Sequence, residues 1–168
     1  MAYHMWIFCQ EDATDLTPAD LMGAMEDTDW WILAEYHGFS EELIDPSLDS
    51  LRIEADVDEK KLHLLYRSRE ERQVRIDRLI APGQVREEIR EAIEGIADDQ
   101  DGAAARVREH LRNVKCVVVL TMGISQLKDM GIAFASEIAL YFADQRNGLM
   151  RDDDGKWYCS DDGAYKPL

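Results

Sequence analysis

The sequence predicts a single α+β domain, in which helices pack on a mainly antiparallel sheet. Three observations lead to this prediction. Apolar and charged residues alternate in three successive runs between residues 51 and 77, as they do in half-buried strands. Later segments carry apolar residues at helical spacing. The length of 168 residues suits one domain, and no repeat or low-complexity linker divides the chain.

Strands are predicted first at residues 3–9, which are apolar and rich in aromatic side chains. In the run from 51 to 58, Leu51, Ile53, Ala55 and Val57 alternate with charged residues. The pattern continues in the next two runs, where we expect one set to face the core (Leu62, Leu64, Tyr66, Val74, Ile76) and the other to face outward (Lys61, His63, Arg67, Arg75, Asp77). Short polar links at 58–60 and 68–72 make the three strands an antiparallel meander.

Helix signals lie on both sides of this meander. Thr17 and Pro18 predict a helix start, with Thr17 as N-cap, and the helix runs to about residue 27. Residues 29–37 fit either a strand, by their aromatic side chains, or a helix closed by Gly38, and we favour the strand. After Pro82, a helix carries the apolar stripe Val85, Ile89, Ile93 and Ile96, and a second helix carries Ala104, Val107 and Leu111.

The C-terminal part begins with residues 115–122, an apolar strand without alternation, which predicts a central position covered on both faces. A long helix at 126–146 follows and ends at Asn147 in a left-handed cap. Its apolar face holds five large side chains (Met130, Phe134, Ile138, Tyr141, Phe142). A hairpin is predicted from 149 to 159, with its turn at 152–155.

Cysteine content and hydropathy predict a protein of a reducing cytoplasm. Cys9, Cys116 and Cys159 are odd in number, far apart in sequence and without histidines at metal spacing, so we expect neither a disulfide nor a metal site. The N-terminus has no basic leader and no small-residue cleavage site. No apolar run approaches the ~20 residues that a transmembrane helix needs.

Catalytic and cofactor motifs are absent from the sequence. The acidic turns do not meet the spacing of a calcium loop, and no serine lies in a G-x-S-x-G turn. One loop remains as an alternative ligand site, at Gly123 and Ser125, because a turn from strand to helix presents free backbone N–H groups to an anion. We therefore expect no cofactor and favour a non-enzymatic role, with this loop as the basis of the enzyme or small-ligand alternative.

Charge is the most unusual feature of the chain, whose net charge is −16. Residues 1–59 contain sixteen acidic side chains and one basic side chain, Arg52. Such a segment disfavours nucleic acid and favours a basic protein partner. The candidate contact residues combine acids with aromatic anchors (Glu11, Asp12, Asp15, Asp20, Trp30, Trp31, Tyr36). We expect amides at the four acids to slow association while leaving stability nearly unchanged; acidity that serves only solubility is the competing explanation.

The C-terminal quarter has an apolar strand, a glycine-containing loop, a long helix with Ala-Leu-Tyr-Phe-Ala, and the segments Asn-Gly-Leu-Met and Asp-Gly-Lys-Trp-Tyr. In this order it resembles small bacterial immunity-type proteins. The resemblance implies an α+β fold and the neutralisation of a toxin, often a basic nuclease, by covering its active site. The sequence thus favours a cytoplasmic protein that neutralises or escorts a basic partner, and an acidic secretion chaperone remains a further alternative.

Overall fold

A computed structural model describes residues 1–58, 60–67 and 73–168. Its strands are β1 (Ala2–Cys9), β2 (Arg52–Ala55), β3 (Lys61–Leu65), β4 (Gln73–Leu79), β5 (Cys116–Gly123), β6 (Gly148–Asp152), β7 (Trp157–Asp161) and β8 (Ala164–Pro167). They form one sheet in the order β2-β3-β4-β5-β1-β6-β7-β8. Every neighbouring pair is antiparallel, which confirms the predicted fold class.

Helices cover the sheet from both sides. They are α1 (Pro18–Ala24), α2 (Trp30–His37), α3 (Ile44–Ser50), α4 (Pro82–Gly95), α5 (Gly102–Leu111) and α6 (Met130–Gln145). The first three pack with α6 on one face, and α4 and α5 pack on the other. Adjacent residues of the central strands therefore enter different cores, as Val117 and Val118 of β5 do. This confirms that β5 is central and covered on both faces.

The meander β2-β3-β4 has the predicted register. Leu62, Leu64 and Tyr66 are buried, whereas Lys61 is exposed and His63 and Arg67 are partly exposed. The edge strand β2 ends at Ala55, earlier than predicted. Ile53 packs on the core, whereas Ala55 is exposed and Val57 is exposed in the turn that follows the strand. The predicted link at 68–72 lies outside the described residues, as does residue 59 of the predicted link at 58–60. Strand β8, at the opposite edge, was not predicted.

The prediction of a strand at residues 29–37 is wrong, because this segment is the helix α2. Asp29 caps its N-terminus, accepting hydrogen bonds from the backbone N–H groups of Trp31 and Ile32 at 3.2 and 3.1 Å. Gly38 closes the C-terminus at φ 74°, a left-handed conformation that glycine adopts without strain. The capping residues at both ends therefore outweigh the aromatic content.

Two further helices differ in detail from their predictions. In α4 the inward stripe uses Ala92, which is 1% exposed, whereas Ile93 is 40% exposed. The long C-terminal helix begins later than predicted, because Ile124–Lys128 forms a 3-10 turn before α6 starts at Met130. Helix α6 is buried on most of its circumference, since it lies between the sheet and the helices α1 and α2. Asn147 has the predicted left-handed conformation, at φ 48°.

Candidate functional site

The side of the molecule formed by α1, α2 and α3 carries a concentration of exposed acidic side chains. All twelve carboxylates between residues 11 and 49 are exposed, and this stretch contains no lysine or arginine. We call these twelve residues the acidic layer (Glu11, Asp12, Asp15, Asp20, Glu26, Asp27, Asp29, Glu35, Glu41, Glu42, Asp45, Asp49). Among the described residues, Asp15 is the one member with an ion pair, to Arg146 at 3.0 Å.

The opposite layer has a different charge pattern. On α4, Arg90 pairs with Glu87 and with Glu94, and on α5 Arg112 pairs with Glu109 at 2.6 Å. Charges of both signs are therefore interspersed on that side, as on an ordinary solvated surface. The excess of negative charge that the sequence shows in its first third is concentrated by the fold on one helical layer.

Three of the four candidate acids have local structural roles. Asp12 accepts hydrogen bonds from the N–H and hydroxyl of Thr14 at 2.8 and 2.7 Å, which hold the pKa of its carboxyl below the ordinary value. Asp20 accepts from the backbone N–H of Thr17 at 2.8 Å, completing a capping box. Asp15 accepts both Arg146 contacts, at 3.1 and 3.0 Å.

These contacts change the expectation for the four-fold amide variant. Asparagine at positions 12, 15 and 20 keeps an acceptor oxygen but loses the charge that strengthens these turn and capping contacts. The variant therefore loses the ion pair of Asp15 with Arg146 and some stability as well as charge. A test of steering needs acids whose side chains hold nothing in place. Glu26, Glu35 and Asp49 are exposed and make no side-chain hydrogen bond to the described residues.

The candidate aromatic residues separate into core and surface. Trp30 is 7% exposed and packs edge-on against Phe134, with ring centroids 4.9 Å apart, so it stabilises the core. Trp31 and Tyr36 are 50% and 82% exposed. Ile32, which was not among the predicted contact residues, is 63% exposed beside them. We call these three exposed residues the α2 patch (Trp31, Ile32, Tyr36). Trp30 is buried and Trp31 is exposed because successive residues of the helix α2 point in different directions.

The Gly123 loop is engaged within the protein. The backbone N–H of Gly123 donates to Oε1 of Gln126 at 2.7 Å. The amide nitrogen of Gln126 donates in turn to the Tyr66 hydroxyl at 2.8 Å, and that hydroxyl donates to Asp129 at 2.8 Å. Ser125 is exposed. The N–H that was expected to meet an anion is therefore satisfied by a buried network that fastens the start of α6 to β3 and β4.

A groove on the same side as the acidic layer was not predicted from the sequence. It encloses about 650 Å³ between α2, α6 and the C-terminal strands. Four tyrosines from separate elements line it, together with one carboxylate from α6 and one from β6 (Tyr3, Tyr36, Tyr158, Tyr165, Glu137, Asp152). Because these residues lie far apart in the chain, no local motif announces them. Pockets that combine an apolar lining with a few convergent polar groups are typical ligand sites.

The cysteine side chains are buried in the cores of the protein. Cys9 and Cys116 lie opposite each other on β1 and β5, although they are distant in sequence, and all three cysteines are free and buried. Burial raises the pKa of the Cys9 thiol. Among the residues whose structure is described, no three histidine, cysteine, aspartate or glutamate side chains converge where a metal ion would fit. No helix in the described part of the chain is both long and apolar enough to cross a bilayer.

Comparison with known proteins gives no assignment of family. No protein-family model matches the chain, and neither a curated protein sequence nor a solved structure matches it.

Proposed function

We propose that this protein is a bacterial cytoplasmic binding protein that captures a basic protein partner and neutralises or escorts it. One observation carries the proposal: twelve exposed carboxylates lie in a segment, residues 11–49, that contains no lysine or arginine, and an exposed apolar patch lies on α2 within that segment. An acidic cluster alone serves solubility equally well. The combination with large exposed side chains favours an interface.

Electrostatics supports the choice of partner. At physiological ionic strength charges remain coupled over about 8 Å, so neighbouring carboxylates on one surface act together on an approaching molecule. Their summed field attracts a basic protein and accelerates its association. The same field repels nucleic acid, whose binding depends on lysine and arginine.

The α2 patch supports the proposal that large exposed side chains anchor the partner after the charges have attracted it. Trp31, Ile32 and Tyr36 expose 50%, 63% and 82% of their surface within two turns of one helix. Large side chains at the centre of an interface contribute most of its binding energy, while the charged rim excludes water and sets the register. The acidic layer provides such a rim around the α2 patch.

The alternatives receive less support. An anion-binding loop at Gly123 needs a free N–H, and that group is bonded to Gln126. A secretion chaperone would share the acidic surface but hold its partner in an unfolded state. An inhibitor of the immunity type binds a folded partner. The state of the bound partner therefore separates the two roles.

The test is capture of partners from bacterial extract on the immobilised protein, at low and at raised ionic strength. One variant carries Glu26→Gln, Glu35→Gln and Asp49→Asn. A control of equal charge carries three exposed acids of the other layer changed to amides (Glu91→Gln, Asp98→Asn, Asp99→Asn). A third carries Trp31→Ala and Ile32→Ala.

We expect the wild type and the control to retain the same basic protein. The acidic-layer variant should associate with that protein about tenfold more slowly and show a weaker dependence on salt. The Trp31 and Ile32 variant should release it faster. Equal retention by all four proteins, or retention of acidic proteins, would contradict the proposal.

A further inference from the structure

The groove described above has an aromatic lining of fixed geometry. The rings of Tyr158 and Tyr165 meet edge to face, with centroids 5.8 Å apart. The Tyr165 hydroxyl donates to the backbone oxygen of Ser136 at 2.6 Å, and the Tyr158 hydroxyl donates to Asp152 at 3.2 Å. These bonds hold both rings in place. Tyr36 of α2 also lines the groove and is 82% exposed.

The phenols of Tyr3, Tyr158 and Tyr165 remain neutral at physiological pH. Burial, followed by the charges of Asp152 and Asp154, raises the pKa of Tyr3 to about 12. Burial also raises the pKa of Tyr158 and of Tyr165. The rings therefore present uncharged aromatic surface, which attracts cations through its π-electrons.

The charges around the groove are predominantly negative. Glu137 and Asp152 line it, and Asp153 and Asp154 follow in the adjoining turn. Arg151 also belongs to the lining, but its guanidinium lies 5.0 Å from the ring centroid of Trp6, which packs on the opposite side of the sheet. His37 is held neutral at pH 7, because burial lowers its pKa.

The negative charge of Glu137 is not balanced by a nearby positive charge among the described residues. Its carboxylate accepts a hydrogen bond from the Thr28 hydroxyl at 3.2 Å, and no cation of the described residues lies within ion-pair distance. Burial raises its pKa. A half-buried carboxylate with one neutral donor is costly in the empty protein, and a bound cation would offset that cost.

We propose that this groove binds a small organic cation of the alkylammonium class, with the charged group among the tyrosine rings near Glu137 and Asp152. The alkyl portion rests on the apolar part of the lining, which includes Leu127, Ile132 and Leu140. Aromatic rings combined with carboxylates are the chemistry that recognises quaternary and substituted ammonium groups. This site does not depend on the protein-binding role proposed above.

The probe is choline, titrated into the purified protein and followed by NMR chemical shifts of the groove residues. Its control is 3,3-dimethylbutan-1-ol, which has the same shape with carbon in place of the charged nitrogen. We expect choline to shift the groove signals saturably and the neutral alcohol to bind at least about tenfold more weakly, because only the cation gains from the carboxylates and rings.

Variants at Glu137 and Tyr36 test whether choline binds in the groove. Glu137→Gln should weaken choline binding about tenfold and remove most of its pH dependence below neutrality, because burial raises the pKa of Glu137 and its carboxylate takes up a proton as the pH falls. Tyr36→Ala should weaken binding several-fold, whereas Tyr36→Phe, which keeps the ring, should not. Tyr36 is exposed enough for both changes to leave the fold intact.

Three outcomes would overturn the proposal. Equal binding of choline and the alcohol would show an apolar groove without selectivity for charge. No saturable shift with choline would show no site. Binding of a short lysine-containing peptide without binding of choline would assign the groove to the protein interface instead. The charge arm of the capture test is separate from these outcomes, because Glu26, Glu35 and Asp49 do not line the groove.

Discussion

Replacement of Phe134 by alanine should cause a large loss of stability. Phe134 is fully buried in α6. Its ring meets Trp30 edge-on at 4.9 Å and Tyr66 at 5.5 Å, so it joins α6 to α2 and to the end of β3. Truncation removes both aromatic contacts and leaves a cavity that the surrounding helices and sheet cannot close.

The expected magnitude follows from the packing. A buried phenylalanine changed to alanine costs about 3–5 kcal/mol, and each aromatic pair contributes about 0.5–1.5 kcal/mol beyond its buried area. Because Phe134 makes two such pairs, we expect about 4–5 kcal/mol. For a chain of this length, that loss corresponds to a fall in Tm of about 8–20 °C.

Urea unfolding followed by tryptophan fluorescence and circular dichroism measures the loss. Phe134→Leu, which keeps most of the volume, should cost much less, and Ile32→Ala on the exposed α2 patch should change stability by less than about 0.5 kcal/mol. A loss below about 1 kcal/mol for Phe134→Ala would refute the central position of this side chain in the core.

Three further predictions concern single positions. Gly131→Ala should destabilise the protein by about 1–3 kcal/mol in thermal melts, since a Cβ there would lie 2.6 Å from the Tyr66 hydroxyl and 2.9 Å from Cβ of Gln126. Gly23→Ala, where a Cβ meets no atom within 4 Å, is its control, and equal effects would contradict the close approach. Thr17→Ala should cost about 1 kcal/mol through loss of the capping box, and an unchanged urea midpoint would argue against that cap. Burial raises the pKa of Glu137 above the ordinary 4.5, so its stabilising contribution is present below pH 4.5 and is lost as the pH rises through the raised value. Glu137→Gln should therefore be more stable than the wild type at neutral pH and equal to it in acid, whereas a constant difference across pH would exclude this titration.

The sequence by itself determined the class of fold and most of its elements. The alternation of apolar and polar residues in β3 and β4 specified most of the residues that enter the core, because a one-residue shift would expose their apolar side chains. Capping signals located the start of α1 and the turn at Asn147. The apolar run of β5 indicated its central position, because only a strand covered on both faces tolerates such a run.

Tertiary structure decided the remaining features. Residues 29–37 carry aromatic side chains that favour a strand, but residues that cap a helix lie at both ends. The segment forms a helix, and in this helix Trp30 packs on Phe134. The same helical phase buries Trp30 and exposes Trp31, a distinction that composition does not contain. The tyrosine groove joins β1, α2, α6, β6, β7 and β8, so it exists only after the sheet is assembled. Local sequence patterns indicate which face of a helix or strand is apolar. Which side chains from distant elements come into contact depends on how those faces pack.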